Sequence, residues 1–91
     1  MAGYKVLLKA SAVKDVEDID RRVDRERISR RIQALAENPR LYGSEKLEGF
    51  EAMYRIRQGD YRIVYDIDDA ERIVFVLKVR HRKDVYRRGR A

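Results

Sequence analysis

The sequence predicts an α+β domain: a small antiparallel β-sheet with two N-terminal helices packed on one face. The sheet is read as an N-terminal strand plus a C-terminal three-stranded meander, and residues 1–91 as a single domain. Three observations carry this. Met53 to Tyr65 (MYRIRQGDYRIVY) alternates with period two on both sides of Gly59-Asp60, the pattern of a β-hairpin. Ile73-Val74-Phe75-Val76-Leu77-Lys78-Val79 is a near-continuous apolar run of strand length. Between them and the N-terminus, apolar residues recur at helical spacing through a highly charged segment.

Taken in order, Tyr4-Lys5-Val6-Leu7-Leu8, bounded by Gly3, reads as the first strand. Ser11 reads as a helix N-cap, and Asp15 early in that helix suits its dipole. Val13, Val16, Ile19 and Val23 trace a thin apolar stripe. A second helix begins near Asp24, with Ile28, Ile32, Leu35 and Ala36 at i, i+4, i+7 and i+8. The two are expected as an αα-hairpin broken near Arg22 to Asp24, with one long kinked helix as the alternative. Asn38-Pro39 ends the second helix. Residues 40–50 are a loop marked by Pro39, Gly43 and Gly49, with Leu41, Leu47 and Phe50 as its anchors into the core.

The hairpin register comes from keeping one face apolar. A three-residue loop pairs Arg55 with Ile63 and mixes charge into the apolar face. A two-residue Gly59-Asp60 loop, or a four-residue one, pairs Tyr54 with Tyr65, Ile56 with Ile63 and Arg57 with Arg62. Arginines directly opposite each other repel, and an anion between them relieves the repulsion. Asp68 to Arg72 is a polar turn, in which Asp66, Asp68 and Asp69 read as turn residues. Pairing the last strand across it without irregularity matches Ile67 with Ile73, Tyr65 with Phe75, Ile63 with Leu77 and Tyr61 with Val79. Arg57, Arg62 and Lys78 then form one cationic row on the other face. Asp84 to Arg88 is read as a terminal helical turn.

Composition narrows the function. A chain of 91 residues buries roughly 60–65% of its unfolded surface, enough for one small core. With no cysteine, a disulfide framework and a thiol nucleophile are excluded. No apolar run approaches the ~20 residues of a membrane span, so a cytoplasmic protein without a membrane partner is expected. Residues 1–52 carry 11 Lys/Arg against 10 Asp/Glu, whereas residues 53–91 carry 11 against 6. Basic charge therefore collects on the hairpin and on the residues C-terminal to it, which points to a polyanion such as nucleic acid.

The residues that could carry chemistry are Arg55, Arg57, Arg62, Lys78, Arg80, His81, Arg82 and Tyr86, expected to gather toward one face and one end. Guanidinium forks suit phosphate oxygens and stabilise a phosphorane-like charge. The competing account is ordinary alternation, with polar side chains on the wet side of a sheet. His81 is the only histidine in the chain. No carboxylates stand at metal-site spacing and the glycines form no phosphate loop, so neither a metal nor a cofactor is expected.

The segments LEGFEAMYRIRQGDYRIVYDID and IVFVLKVRHRKDVYRR, with the preceding ENPRLYGSEKL loop and two charged helices, resemble the RelE branch of the RelE/ParE toxin superfamily. The resemblance spans nearly the whole chain. It implies the toxin of a type II toxin–antitoxin pair: an endoribonuclease (mRNA interferase) that enters the ribosomal A site, among its rRNA, and cuts messenger RNA. In such enzymes the ribose 2′-oxygen attacks the adjacent phosphate without a metal. Carried over by position, Arg62 holds the scissile phosphate, Arg82 stabilises the leaving oxygen and Tyr86 orients the nucleotide. Arg55 and Arg57 are carried over as substrate contacts, to which the cationic face read above adds Lys78 and Arg80, and a RelB-like acidic antitoxin is the second implied partner. The best-known RelE members carry lysines where this chain has Arg55 and Arg57, one of them a proposed general base. Arginine does not release its proton, so His81, Tyr86 and Glu48 are the candidates for that role. A ParE-type gyrase-inhibiting toxin and an inactive RNA- or antitoxin-binding module are the alternatives.

Overall fold

A computed structural model of the chain describes residues 3–47, 49 and 53–83. The elements are β1 (Lys5–Leu8), α1 (Ala10–Glu17), α2 (Arg22–Ala34), β2 (Glu45–Lys46), β3 (Met53–Gln58), β4 (Tyr61–Asp68) and β5 (Ile73–His81). They build one five-stranded sheet in the order β1-β5-β4-β3-β2, with the helices on one face. Phe50, Glu48, Tyr86 and the expected turn over 84–88 lie outside the described residues.

The β3–β4 hairpin takes the two-residue loop and the expected pairs: Tyr54 with Tyr65, Ile56 with Ile63, Arg57 with Arg62. Gly59 supplies the left-handed backbone (φ 61°) that the tight turn demands. Two features of the sheet differ from expectation. β1 runs parallel to β5, so the sheet is mixed rather than wholly antiparallel. β2, a two-residue edge strand paired with Tyr54 and Arg55, arises inside the segment expected to be loop.

The β4–β5 register also differs. Tyr65 pairs with Val76, but Val64 pairs with Lys78, so Leu77 is an extra residue in a β-bulge. Val74 and Val76 face the core before the bulge and Val79 after it, in place of Ile73, Phe75 and Leu77. The physical reason lies in the charges. Without the extra residue, the alternation that buries Val74 and Val76 would turn Lys78 and Arg80 inward, where an unpaired charge is costly. With it, Val79 turns in and both cations turn out. Phe75 and its parallel neighbour Leu7 are left partly exposed on the outer face.

The core joins Ile56, Ile63, Tyr65, Ile67, Val74, Val76 and Val79 of the sheet to Ala12, Ile19, Ile28, Ile32 and Leu35 of the helical layer. Tyr65 is fully buried and donates its hydroxyl to the Pro39 carbonyl at 2.7 Å. Burial pushes that phenol above its ordinary pKa. The helix break falls at residues 18–21, earlier than expected. Ile19 plugs the core there, and Arg25 Nη1 donates to its carbonyl at 2.6 Å. Ser11 does not cap α1; the helix begins two residues earlier than such a cap would give, at Ala10 after Lys9. Ser11 Oγ instead donates to the Leu77 carbonyl, and Asp15 Oδ2 accepts the Val79 amide at 3.0 Å. α1 thus completes the edge of β5 beyond the end of β1.

Candidate functional site

The outer face of the sheet carries a register row of three arginines: Arg57 on β3 faces Arg62 on β4, and Arg62 faces Arg80 on β5. The bulge sets this row, and Arg80 takes the place expected for Lys78. Lys78 stands one pleat away, opposite Val64. Among the described residues, no carboxylate lies within ion-pair distance of Arg57 or Arg62. The Nε atoms of Arg62 and Arg80 are both buried without a hydrogen-bond partner. Buried donors left unpaired cost stability, and repulsion along the row adds to that cost. A bound anion would relieve both at once.

The cations around this row are held in place to different degrees. Arg80 Nη1 lies 3.3 Å from Asp15 Oδ1, in a pair that is mostly shielded from water. Arg55 donates to Glu45 on β2. Hydrogen bonding to Arg55 holds the Glu45 carboxyl below its ordinary range, with the nearby charges of Arg57 and Arg62 acting in the same direction. Glu45 is therefore a carboxylate set inside the field of the row, a position that a loop reading of residues 40–50 hides. Arg82 donates its backbone amide to the Asp60 carbonyl at 2.8 Å, and its Nε is 3.9 Å from Asp60 Oδ1. Both side chains of that pair are exposed, so the pairing is weak.

His81 does not share the arginine face. It pairs with Tyr61 in the ladder and stacks edge-on against that ring, centroids 5.0 Å apart, on the side where the helices lie. Its Nδ1 accepts the Lys83 amide at 3.1 Å. The alternation explains the placement: with Val79 turned inward, His81 goes the same way and Arg80 does not. The expected gathering on one face thus holds for Arg55, Arg57, Arg62, Lys78 and Arg80, and fails for His81. Tyr86 lies outside the described residues.

The sequence and the fold match a known group of proteins. The family model described as the ParE toxin of the type II toxin–antitoxin system, parDE, matches residues 6–86. The chain belongs to the RelE/ParE toxin superfamily, in its RelE branch. The relatives decide the branch. Toxin RelE of Mycobacterium tuberculosis is 29% identical over 84 residues, spanning 92% of this chain and 87% of that one. The mRNA interferase toxin RelE of Escherichia coli is 36% identical over 66 residues, 68% of each chain. The solved archaeal RelE–RelB complex from Pyrococcus horikoshii superposes with a TM-score of 0.77 at 26% identity, covering 88% of this chain and 96% of that chain. The RelE-like α+β fold read from the sequence is therefore shown, and the chain is a RelE-like toxin.

Proposed function

We propose that this toxin is a metal-independent endoribonuclease that cleaves messenger RNA in the ribosomal A site, and that the Arg57–Arg62–Arg80 row binds the scissile phosphate. The observation that supports this is the row itself: three guanidinium groups in register, two with buried and unpartnered Nε atoms. A pentacoordinate phosphorane carries more charge on its oxygens than the ground-state diester. Fixed cations therefore favour it over the substrate, which is the differential binding that accelerates a reaction. Arg62 at the centre holds the phosphate, Arg57 and Arg80 flank it, and Arg82 and Tyr86 attend the leaving oxygen and the nucleotide.

In the reaction, the 2′-hydroxyl gives up its proton as its oxygen bonds to phosphorus, and the 5′-oxygen leaves and takes a proton. None of the three arginines can accept the first proton. Glu45 can. It lies within the field of the row and its bond to Arg55 orients it, although the same bond lowers its basicity. Glu45 therefore joins His81, Tyr86 and Glu48 as a candidate base and is preferred to His81, which faces the helices. Glu45→Gln keeps the size of the side chain and the Arg55 contact. It should lower the single-turnover cleavage rate about 10²-fold with little change in binding, as removal of a general base does.

The antitoxin partner is read from the same face. The P. horikoshii neighbour is a RelE–RelB complex. On this chain, Leu7 and Phe75 form an exposed apolar pair on the face that also bears the arginines. An antitoxin segment with acidic and apolar side chains would cover both and occlude the row.

Primer extension on ribosome-bound messenger tests the enzyme reading. Cuts within the A-site codon support it. Absence of cuts with loss of DNA supercoiling by gyrase would move the protein to ParE-type action, and absence of both would leave an RNA- or antitoxin-binding module.

A further inference from the structure

Residues 41–44 form a tight turn, in which the Ser44 amide donates to the Leu41 carbonyl at 2.9 Å. Gly43 takes φ 95°, the left-handed value required at the third position of a type II turn, and Tyr42 occupies the second. The turn is anchored on one side by Leu41, packed against the core, and by Pro39, whose carbonyl receives the buried Tyr65 hydroxyl. At its tip the Tyr42 side chain is fully exposed, at 100% of its reference area. A single exposed aromatic residue is ordinary on a protein surface. Here, however, a fixed turn presents it at the mouth of a cleft of about 320 Å³ lined by Arg31, Arg55, Arg57, Gly43 and Glu45.

The cleft has a structural cause. β2 pairs only with Tyr54 and Arg55, so β3 continues past it with an uncovered edge at 56–58. Arg31 closes the far side from α2, fixed by its Nε bond to Gln58 Oε1 at 3.1 Å. That bond uses Nε and leaves the terminal nitrogens to a ligand. A flat π-face beside two guanidinium groups, one of them in the phosphate row, is the arrangement that binds an unpaired nucleotide: the ring stacks the base and the cations hold its phosphate.

The geometry points to a second nucleotide subsite at Tyr42, in which the ring stacks a base of single-stranded RNA adjacent to the scissile phosphate and Arg31 and Arg57 bind its backbone. This inference rests on the proposed RNA substrate and adds to it a site that positions the strand entering the arginine row.

The test compares wild type with Tyr42→Ala, Tyr42→Phe and Tyr42→Trp, reading binding of a fluorescently labelled single-stranded oligoribonucleotide by anisotropy and cleavage by primer extension. The exposed position allows each variant to fold, which thermal melting checks. Tyr42→Ala is expected to weaken oligonucleotide binding about 10-fold, as loss of a stacking partner does, while Phe and Trp retain it. In cleavage, the Ala variant should raise KM and leave kcat nearly unchanged. Oligonucleotide affinity unchanged in the Ala variant would overturn the subsite. So would a wild type that binds no oligonucleotide, a Phe variant as weak as Ala, or a defect confined to antitoxin binding. RNA binding that depends on Tyr42 in a protein that does not cleave would uphold the subsite and refute the nuclease reading instead.

Discussion

Arg40, in the turn after α2, and Arg62, in the sheet, show two opposite treatments of a cation within one small domain. Arg40 donates through Nη1 and Nη2 to the two oxygens of Asp69, at 3.2 and 2.9 Å, and lies 5.3 Å over the Tyr54 ring. Asp69 also accepts the Tyr4 hydroxyl at 2.6 Å, and Arg72 covers the Tyr4 ring at 4.9 Å. This cluster ties Tyr4, the 38–44 segment and the β4–β5 turn together, with Arg40 matched to a carboxylate. Arg62 has arginines on both sides in the ladder and a buried Nε with nothing to donate to. The Arg40 cluster is what electrostatics looks like when it serves the fold. The Arg62 position costs the fold something, a cost that the proposed phosphate would offset.

That contrast can be broken by substitution, and the largest effect is expected in the row. Arg80→Ala should reduce cleavage about 10²-fold, because it removes a pre-positioned donor from the developing charge. Arg82→Ala should cost less, since Arg82 is exposed and its Asp60 pair is loose; rates from primer extension rank the two. An equal or larger loss at Arg82 would shift the phosphate site toward the end of β5.

Smaller effects, on stability alone, are expected at the matched cluster. Hydrogen bonding to Arg40, and then to Tyr4, holds the Asp69 carboxyl below its ordinary range. The unfolded chain therefore binds that proton more readily than the folded one. The resulting stability is present above the ordinary carboxylate pKa, near ~4, and is lost as the pH falls through the lower folded value. Asp69→Asn should lower the melting midpoint by a few degrees at neutral pH, flatten its fall below about pH 4, and leave cleavage intact. Melts across pH with a cleavage assay at neutral pH measure both halves of this expectation.

The same contrast marks how far the sequence can be read. Period-two alternation around Gly59-Asp60 is enough to place Arg57 opposite Arg62, because a one-residue slip would put arginines in the core. The run from Ile73 to Val79 carries no such constraint: when nearly every residue is apolar, alternation is silent, and the bulge at Leu77 could be inferred only from the need to turn Lys78 and Arg80 outward. β2 escapes notice because two residues make no periodic pattern, and with it go Glu45 and the uncovered edge of β3. Tyr42 leaves a faint signal, an aromatic residue before glycine in a polar loop, which acquires meaning only when the fold brings Arg31 and Arg57 beside it.

The proposed function makes the arginine row, with Arg62 at its centre, a phosphate site rather than a support of the fold. Arg62→Gln tests this most directly, because glutamine keeps most of the side chain's packing and removes the charge. Single-turnover cleavage of ribosome-bound messenger, measured beside the thermal midpoint, should show a loss of about 10²-fold or more with a midpoint equal to or above that of the wild type. Full cleavage by this variant, or a collapse of its midpoint, would contradict the account.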